Sequence, residues 1–104
     1  MKRLAFKMKL NPGQKEAYMK RHNEIWPELK TLLKDSGILE YSIFFDGETN
    51  TLFAYQKVTG DGGSQDLPDN AIVQKWWAFM ADIMETNPDN SPVSISLDEV
   101  FFMK

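Results

Sequence analysis

The chain has no cysteine, a single histidine and no long apolar run. Without thiols there can be no disulfide, no thiolate metal site and no cysteine nucleophile. That composition fits a reducing compartment, and the cytoplasm is the expected location. No segment approaches the roughly 20 apolar residues of a membrane span. The N-terminal MKRLAFKMKL alternates apolar with polar residues, where a secretion signal would be continuously apolar. Basic residues are neither in excess nor clustered: 12 Lys and Arg stand against 15 Asp and Glu, a net charge of -3. The electrostatic footprint of a nucleic-acid binder is therefore missing. Neither a membrane nor a nucleic acid is an expected partner.

What remains is a single domain over residues 1–104, with 42% hydrophobic and 26% charged residues, the balance of an ordinary globular chain. Leu4, Phe6, Met8 and Leu10 recur at a period of two and predict a first strand with one buried face. Asn11 and Pro12 read as a helix start, a capping side chain followed by proline at the first helical position. The helix carries Ala17, Tyr18, Ile25, Leu29, Leu32 and Leu33 and ends at Gly37, but Pro27 cannot donate to the preceding turn. A kink or break is expected near Trp26. Leu39, Tyr41, Ile43 and Phe45 alternate next, and DGETN joins them to TLFAYQKV as a hairpin. A loop over Thr59–Asn70 precedes a second helix, capped by Asn70, with Val73, Trp76, Trp77, Met80, Ile83 and Met84 at intervals of three and four. NPDNSP stops it. Val93, Ile95 and Leu97 then form a last strand, with a bulge or break near Asp98 and Glu99, since Val100 and Phe102 have the opposite parity.

The order β-α-β-β-α-β is the ferredoxin-like plan of the α+β class: a four-stranded antiparallel sheet with both helices on one face. The other sheet face must be solvated or covered by another chain, so a homodimer is expected.

Chemistry could live in few places. His22 is the only side chain whose ordinary pKa, about 6.5, allows proton exchange near neutrality. Tyr18 lies one helical turn before it, so the two can face one pocket. In the charged stretch KRHNE, however, His22 reads equally as a surface residue, and pattern alone leans that way. With no second histidine or cysteine there is no zinc set, and no metal ligand is assigned. Trp76 and Trp77 project about 100° apart, so one can serve the core and the other a cavity, although a wide buried face is the simpler account. Tyr41 shares the parity of Leu39, Ile43 and Phe45, which buries its hydroxyl and demands a partner. Glu24, Glu28 and Asp35 read as a solvated helix face.

RHNEIWPEL at Arg21–Leu29, QKWWAFM at Gln74–Met80 and NPDNSPVS at Asn87–Ser94 together resemble the L-rhamnose mutarotase family over essentially the whole chain. The resemblance implies a dimeric ferredoxin-like barrel, an isomerase that interconverts the α and β anomers of L-rhamnose, a 6-deoxy sugar, with no cofactor. It implies His22 as proton donor, with Tyr18, Tyr41, Trp76 and Trp77 as sugar-binding positions. The Gly-rich segment Thr59–Asn70 departs from the family pattern, which is often more charged there. The rival readings are a small dimeric α+β barrel monooxygenase, with His22 as a haem ligand, and a non-catalytic module binding 6-deoxy sugars through the same aromatic residues.

Overall fold

The computed structural model describes residues 1–60, 62–67 and 69–104. Four strands, β1 (Lys2–Lys9), β2 (Ile38–Asp46), β3 (Thr51–Val58) and β4 (Ser94–Leu97), are joined by helices α1 (Lys15–Asn23), α2 (Pro27–Asp35) and α3 (Ala71–Met80). Every strand pairing is antiparallel, in the order β2-β3-β1-β4. This is the expected ferredoxin-like α+β plan, with the first helix divided in two.

The division has a local cause. Trp26 precedes proline and takes an extended conformation, φ -59° and ψ 130°, as the proline ring requires. Pro27 then opens α2 at a position where its missing N–H is no loss. Gly37 ends α2 with φ +96°, the left-handed geometry glycine accepts most readily. At the other end of α1 the expected start moves. Asn11 and Pro12 lie in a turn through Gly13 at φ +80°, and the helix begins only at Lys15. Asn11 is engaged elsewhere: its N–H donates to the Ile83 carbonyl at 2.9 Å.

One face of the sheet carries Phe6 and Met8 from β1 and Leu52 and Ala54 from β3, packed against Tyr18, Leu29, Val73, Trp76, Trp77 and Met80 of the helices. Asn70 caps α3 as expected, its side chain accepting from the Ile72 and Val73 N–H groups. The helix is shorter than its apolar spacing suggests. It stops at Met80, and Ile83 and Met84, both buried, follow in a turn that bridges back to Leu10.

Two strands depart from simple alternation. In β2 a bulge between Ile38 and Glu40 sets Ile38 opposite Val58 and Tyr41 opposite Gln56. Ile38 is consequently buried and Leu39 is 49% exposed, the reverse of the expected parity at that end of the strand. In β4 the alternating Ile95 and Leu97 point away from the helices, and the regular strand ends at Leu97, just ahead of the expected break. Beyond it, Arg3 holds the chain end. Its guanidinium donates twice to the Glu99 carboxylate, both at 2.8 Å, and lies over the Phe102 ring.

Candidate active site

Between the helices and the strands β1 and β2 lies a cavity of about 540 Å³, within the range of small-molecule sites. Tyr18, His22, Tyr41, Trp76 and Trp77 all line it, so residues from α1, β2 and α3 converge on one cavity. Met8 and Pro92 close it from opposite ends of the chain. Trp26 does not line this cavity; it packs edge-on against Trp76, with centroids 5.1 Å apart, and steadies that ring from behind.

His22 is not the surface residue its charged neighbours suggest. Its ring stacks on Tyr18, centroids 4.2 Å apart, and meets Trp76 edge-on at 5.5 Å. Its Nδ1 lies 3.0 Å from the Tyr18 carbonyl oxygen. A carbonyl can only accept, so Nδ1 carries a hydrogen and, in the neutral ring, the lone pair belongs to Nε2. Burial pushes the imidazole pKa below its usual value, and the Tyr18 carbonyl only partly offsets this. The neutral form therefore prevails at pH 7.

The two tyrosines stay protonated. Tyr18 is 7% exposed, and burial, with the nearby Tyr41 phenol second, drives its pKa far upward. Tyr41 presents part of its surface to solvent, 36%, lies across from Gln56 on β3 and lines the cavity together with Ser64. Burial raises its pKa, and hydrogen bonds from those two side chains hold the rise down. Trp76 and Trp77 are both buried, at 9% and 5%, and both also line the cavity, so neither the core account nor the cavity account of the pair excludes the other.

Several residues that shape the site escaped the sequence reading. Arg21 donates to both carboxylate oxygens of Asp82, at 2.8 and 3.1 Å, and to the Phe79 carbonyl at 2.8 Å. That fork ties α1 to the end of α3 and so fixes His22 relative to Trp76. The hydrogen bonds to Arg21 hold Asp82 below the usual carboxylate range. NPDNSP folds into a closed turn, Asn87 N–H to Ser91 carbonyl at 2.8 Å with Asn90 at φ +70°, and this delivers Pro92 to the cavity wall. Gln56 and Ser64 were missed altogether. The available signal was Gln56 itself, a polar residue on the buried parity of Leu52, Ala54 and Val58.

Among the described residues no group of three His, Cys, Asp or Glu side chains could hold a metal ion, and no helix is long and apolar enough to cross a membrane.

The architecture and the site define an α+β protein with an aromatic-walled pocket that a single histidine lines. A family model described as L-rhamnose mutarotase matches residues 3–103, and the chain belongs to that family. It is 73% identical to the L-rhamnose mutarotase of Formosa agariphila over 104 residues, all of both chains. It is 66% identical to that of Bacteroides thetaiotaomicron, over 99% of both. A crystal structure of an L-rhamnose mutarotase from Formosa agariphila superposes with a TM-score of 0.93 at 68% identity, covering 100% of both chains.

Proposed function

We propose that the chain is an isomerase that interconverts the α and β anomers of L-rhamnose without a cofactor. The observation that carries this reading is the convergence of Tyr18, His22, Tyr41, Trp76 and Trp77 on one cavity, in a member of the mutarotase family. Neither the monooxygenase reading nor the non-catalytic one is favoured by that membership.

Anomer exchange needs one proton moved and one bond broken. Neutral His22, through Nε2, takes the proton of the anomeric hydroxyl. The C1–O5 bond then breaks, its electron pair goes to the ring oxygen, and C1 becomes an aldehyde. His22, now imidazolium, donates its proton to the ring oxygen, the donor role the family resemblance implies. Rotation about C1–C2 exposes the other aldehyde face, and the same steps in reverse close the ring. Nδ1 takes no part, because its hydrogen is committed to the Tyr18 carbonyl. Tyr18 and Tyr41, held protonated by their surroundings, bind sugar oxygens and do not act as bases. Trp76 and Trp77 pack on the C–H face and the methyl group of the sugar.

A homodimer accompanies this reading. Phe44 and Phe53, paired across β2 and β3, lie on the sheet face away from the helices with Ile95 and Leu97, and these four are 37 to 69% exposed. A second copy laid on that face would cover them. The cytoplasm is the proposed location. The deciding experiment is NMR exchange spectroscopy between the anomeric protons of L-rhamnose, with and without the protein. Acceleration is the expected result; binding without acceleration would select the non-catalytic reading.

A further inference from the structure

Four of the chain's six methionines, Met8, Met19, Met80 and Met84, line the cavity. Met19 is half exposed, but Met8, Met80 and Met84 are buried, at 4%, 3% and 6%. Backbone pairing gathers these three at one end of the site. Leu10, just beyond Met8, bridges to Met84; Thr86, just beyond Met84, bridges to Pro92; and Met8 itself lies opposite Ser94. Met80 is the last residue of α3, one turn of chain earlier. None of the side chains of Met8, Met80, Met84 and Pro92 carries an N–H or O–H group. The charged residues of the lining, Lys30, Lys34 and Glu40, belong instead to α2 and β2. The cavity therefore has an apolar end and a charged end.

The apolar end adjoins the histidine. Trp76 meets the His22 ring with centroids 5.5 Å apart, and Met80 follows Trp76 by four residues on α3, which makes the two side chains neighbours on one helix face. In L-rhamnopyranose the C6 methyl is two bonds from the ring oxygen that His22 protonates in the mechanism above. A sugar with its ring oxygen at His22 thus has its methyl within reach of the methionines. We propose that Met8, Met80 and Met84 are specificity-determining residues that receive the C6 methyl and set a preference for a 6-deoxy sugar over its 6-hydroxylated counterpart. The inference rests on the anomer-exchange reading and names what selects its substrate. Trp76 and Trp77 flank the methyl, and the thioethers close the pocket beyond it. A C6 hydroxyl placed there would give up water and find only sulfur, a weak acceptor.

The test compares anomer exchange of L-rhamnose, L-mannose, which adds a hydroxyl at C6, and L-lyxose, which lacks C6. Wild type should favour L-rhamnose over L-mannose by roughly 10² in kcat/KM, the usual limit of an apolar pocket against an added hydroxyl, and over L-lyxose by about 10 to 200-fold. Met84→Gln, which offers a hydrogen-bonding partner, should cut the rhamnose-to-mannose ratio about tenfold. Met84→Leu, which conserves volume and polarity, should keep it. Met8→Gln repeats the comparison from β1 if Met84→Gln fails to fold. A purely structural role would lower both sugars together and leave the ratio in place, and that result would overturn the proposal. So would a wild-type enzyme that exchanges L-rhamnose and L-mannose equally well. Wild type that accelerates none of the three sugars would instead defeat the anomer-exchange reading.

Discussion

Tyr18 holds His22 twice: its ring stacks on the imidazole with centroids 4.2 Å apart, and its carbonyl oxygen lies 3.0 Å from Nδ1. The two contacts fix different things. Stacking sets the plane of the imidazole, while the carbonyl sets its tautomer and leaves the lone pair of the neutral ring on Nε2.

Removing the imidazole tests the proton path directly. His22→Ala should slow anomer exchange by about 10² to 10⁴, the usual worth of acid–base catalysis, with the circular dichroism spectrum unchanged. NMR exchange at a fixed L-rhamnose concentration measures it. Exchange at the wild-type rate would remove His22 from the mechanism.

The pH profile follows from the sign of the His22 shift. Burial lowers the pKa, so the neutral ring from which the proposed mechanism starts persists to more acid pH than a free histidine would allow. The enzyme-dependent rate should be flat at neutrality and fall only on the acid side of the usual value of about 6.5. The same shift acts on stability. The unfolded chain takes up this proton at higher pH than the folded one, so stability falls as pH drops from about 6.5 through the lowered folded value. A rate that rises on acidification would make the imidazolium the starting form.

Arg21 acts from outside the cavity. Arg21→Lys keeps a positive charge but loses the fork that grips Asp82 and the Phe79 carbonyl together. We expect kcat to fall by about tenfold, since displacements of about an ångström can lower rates by up to 10². Comparing kcat with KM in steady-state exchange measurements separates this from weakened sugar binding.

Gly63→Ala probes the close approach of the loop to β3. Its added methyl meets Gln56 Oε1 and comes within 3.1 Å of Leu4 Cδ1. Overpacking of this kind destabilises by about 1 to 3 kcal/mol, which a denaturant titration reads. Activity should fall as well, because Gln56 is displaced from Ser64.

Phe44→Lys addresses assembly. Phe44 is 69% exposed and pairs with Phe53 on the sheet face away from the cavity. Sedimentation should show wild type as a dimer and the variant shifted toward monomer at micromolar concentration, since a charge at that position would have to be desolvated in the interface.

The element order was legible because each element has its own period and its own stop. Pro27 announced the helix break, and Asn70 announced the start of α3, through side-chain chemistry that acts within a few residues. The end of α3 was less legible: Met80, Ile83 and Met84 keep helical spacing, yet the backbone leaves the helix after Met80 and all three are still buried. Burial alone therefore does not mark a helix end. Leu39 was misplaced for a similar reason, since a bulge inserts one residue without altering the apolar character of its neighbours. The five candidate site residues were named through family resemblance. Their convergence on one cavity was not written in their spacing, because α1, β2 and α3 meet only in three dimensions. Ser64 was hidden further still, at the start of a short helical turn, Ser64–Asp66, that hydrogen-bonds to one buried amide on the interior strand β3.

The wall of the cavity runs from Met8 to Pro92, and almost every element between them contributes to it. A sugar held there is therefore linked to the folding equilibrium of nearly the whole chain, and it stabilises the native state by RT ln(1 + [L]/Kd). Occupancy should slow amide hydrogen exchange in β1 and in the Asn87–Pro92 turn as well as beside His22. In this small fold, ligand affinity and global cooperativity are two measurements of one thermodynamic cycle.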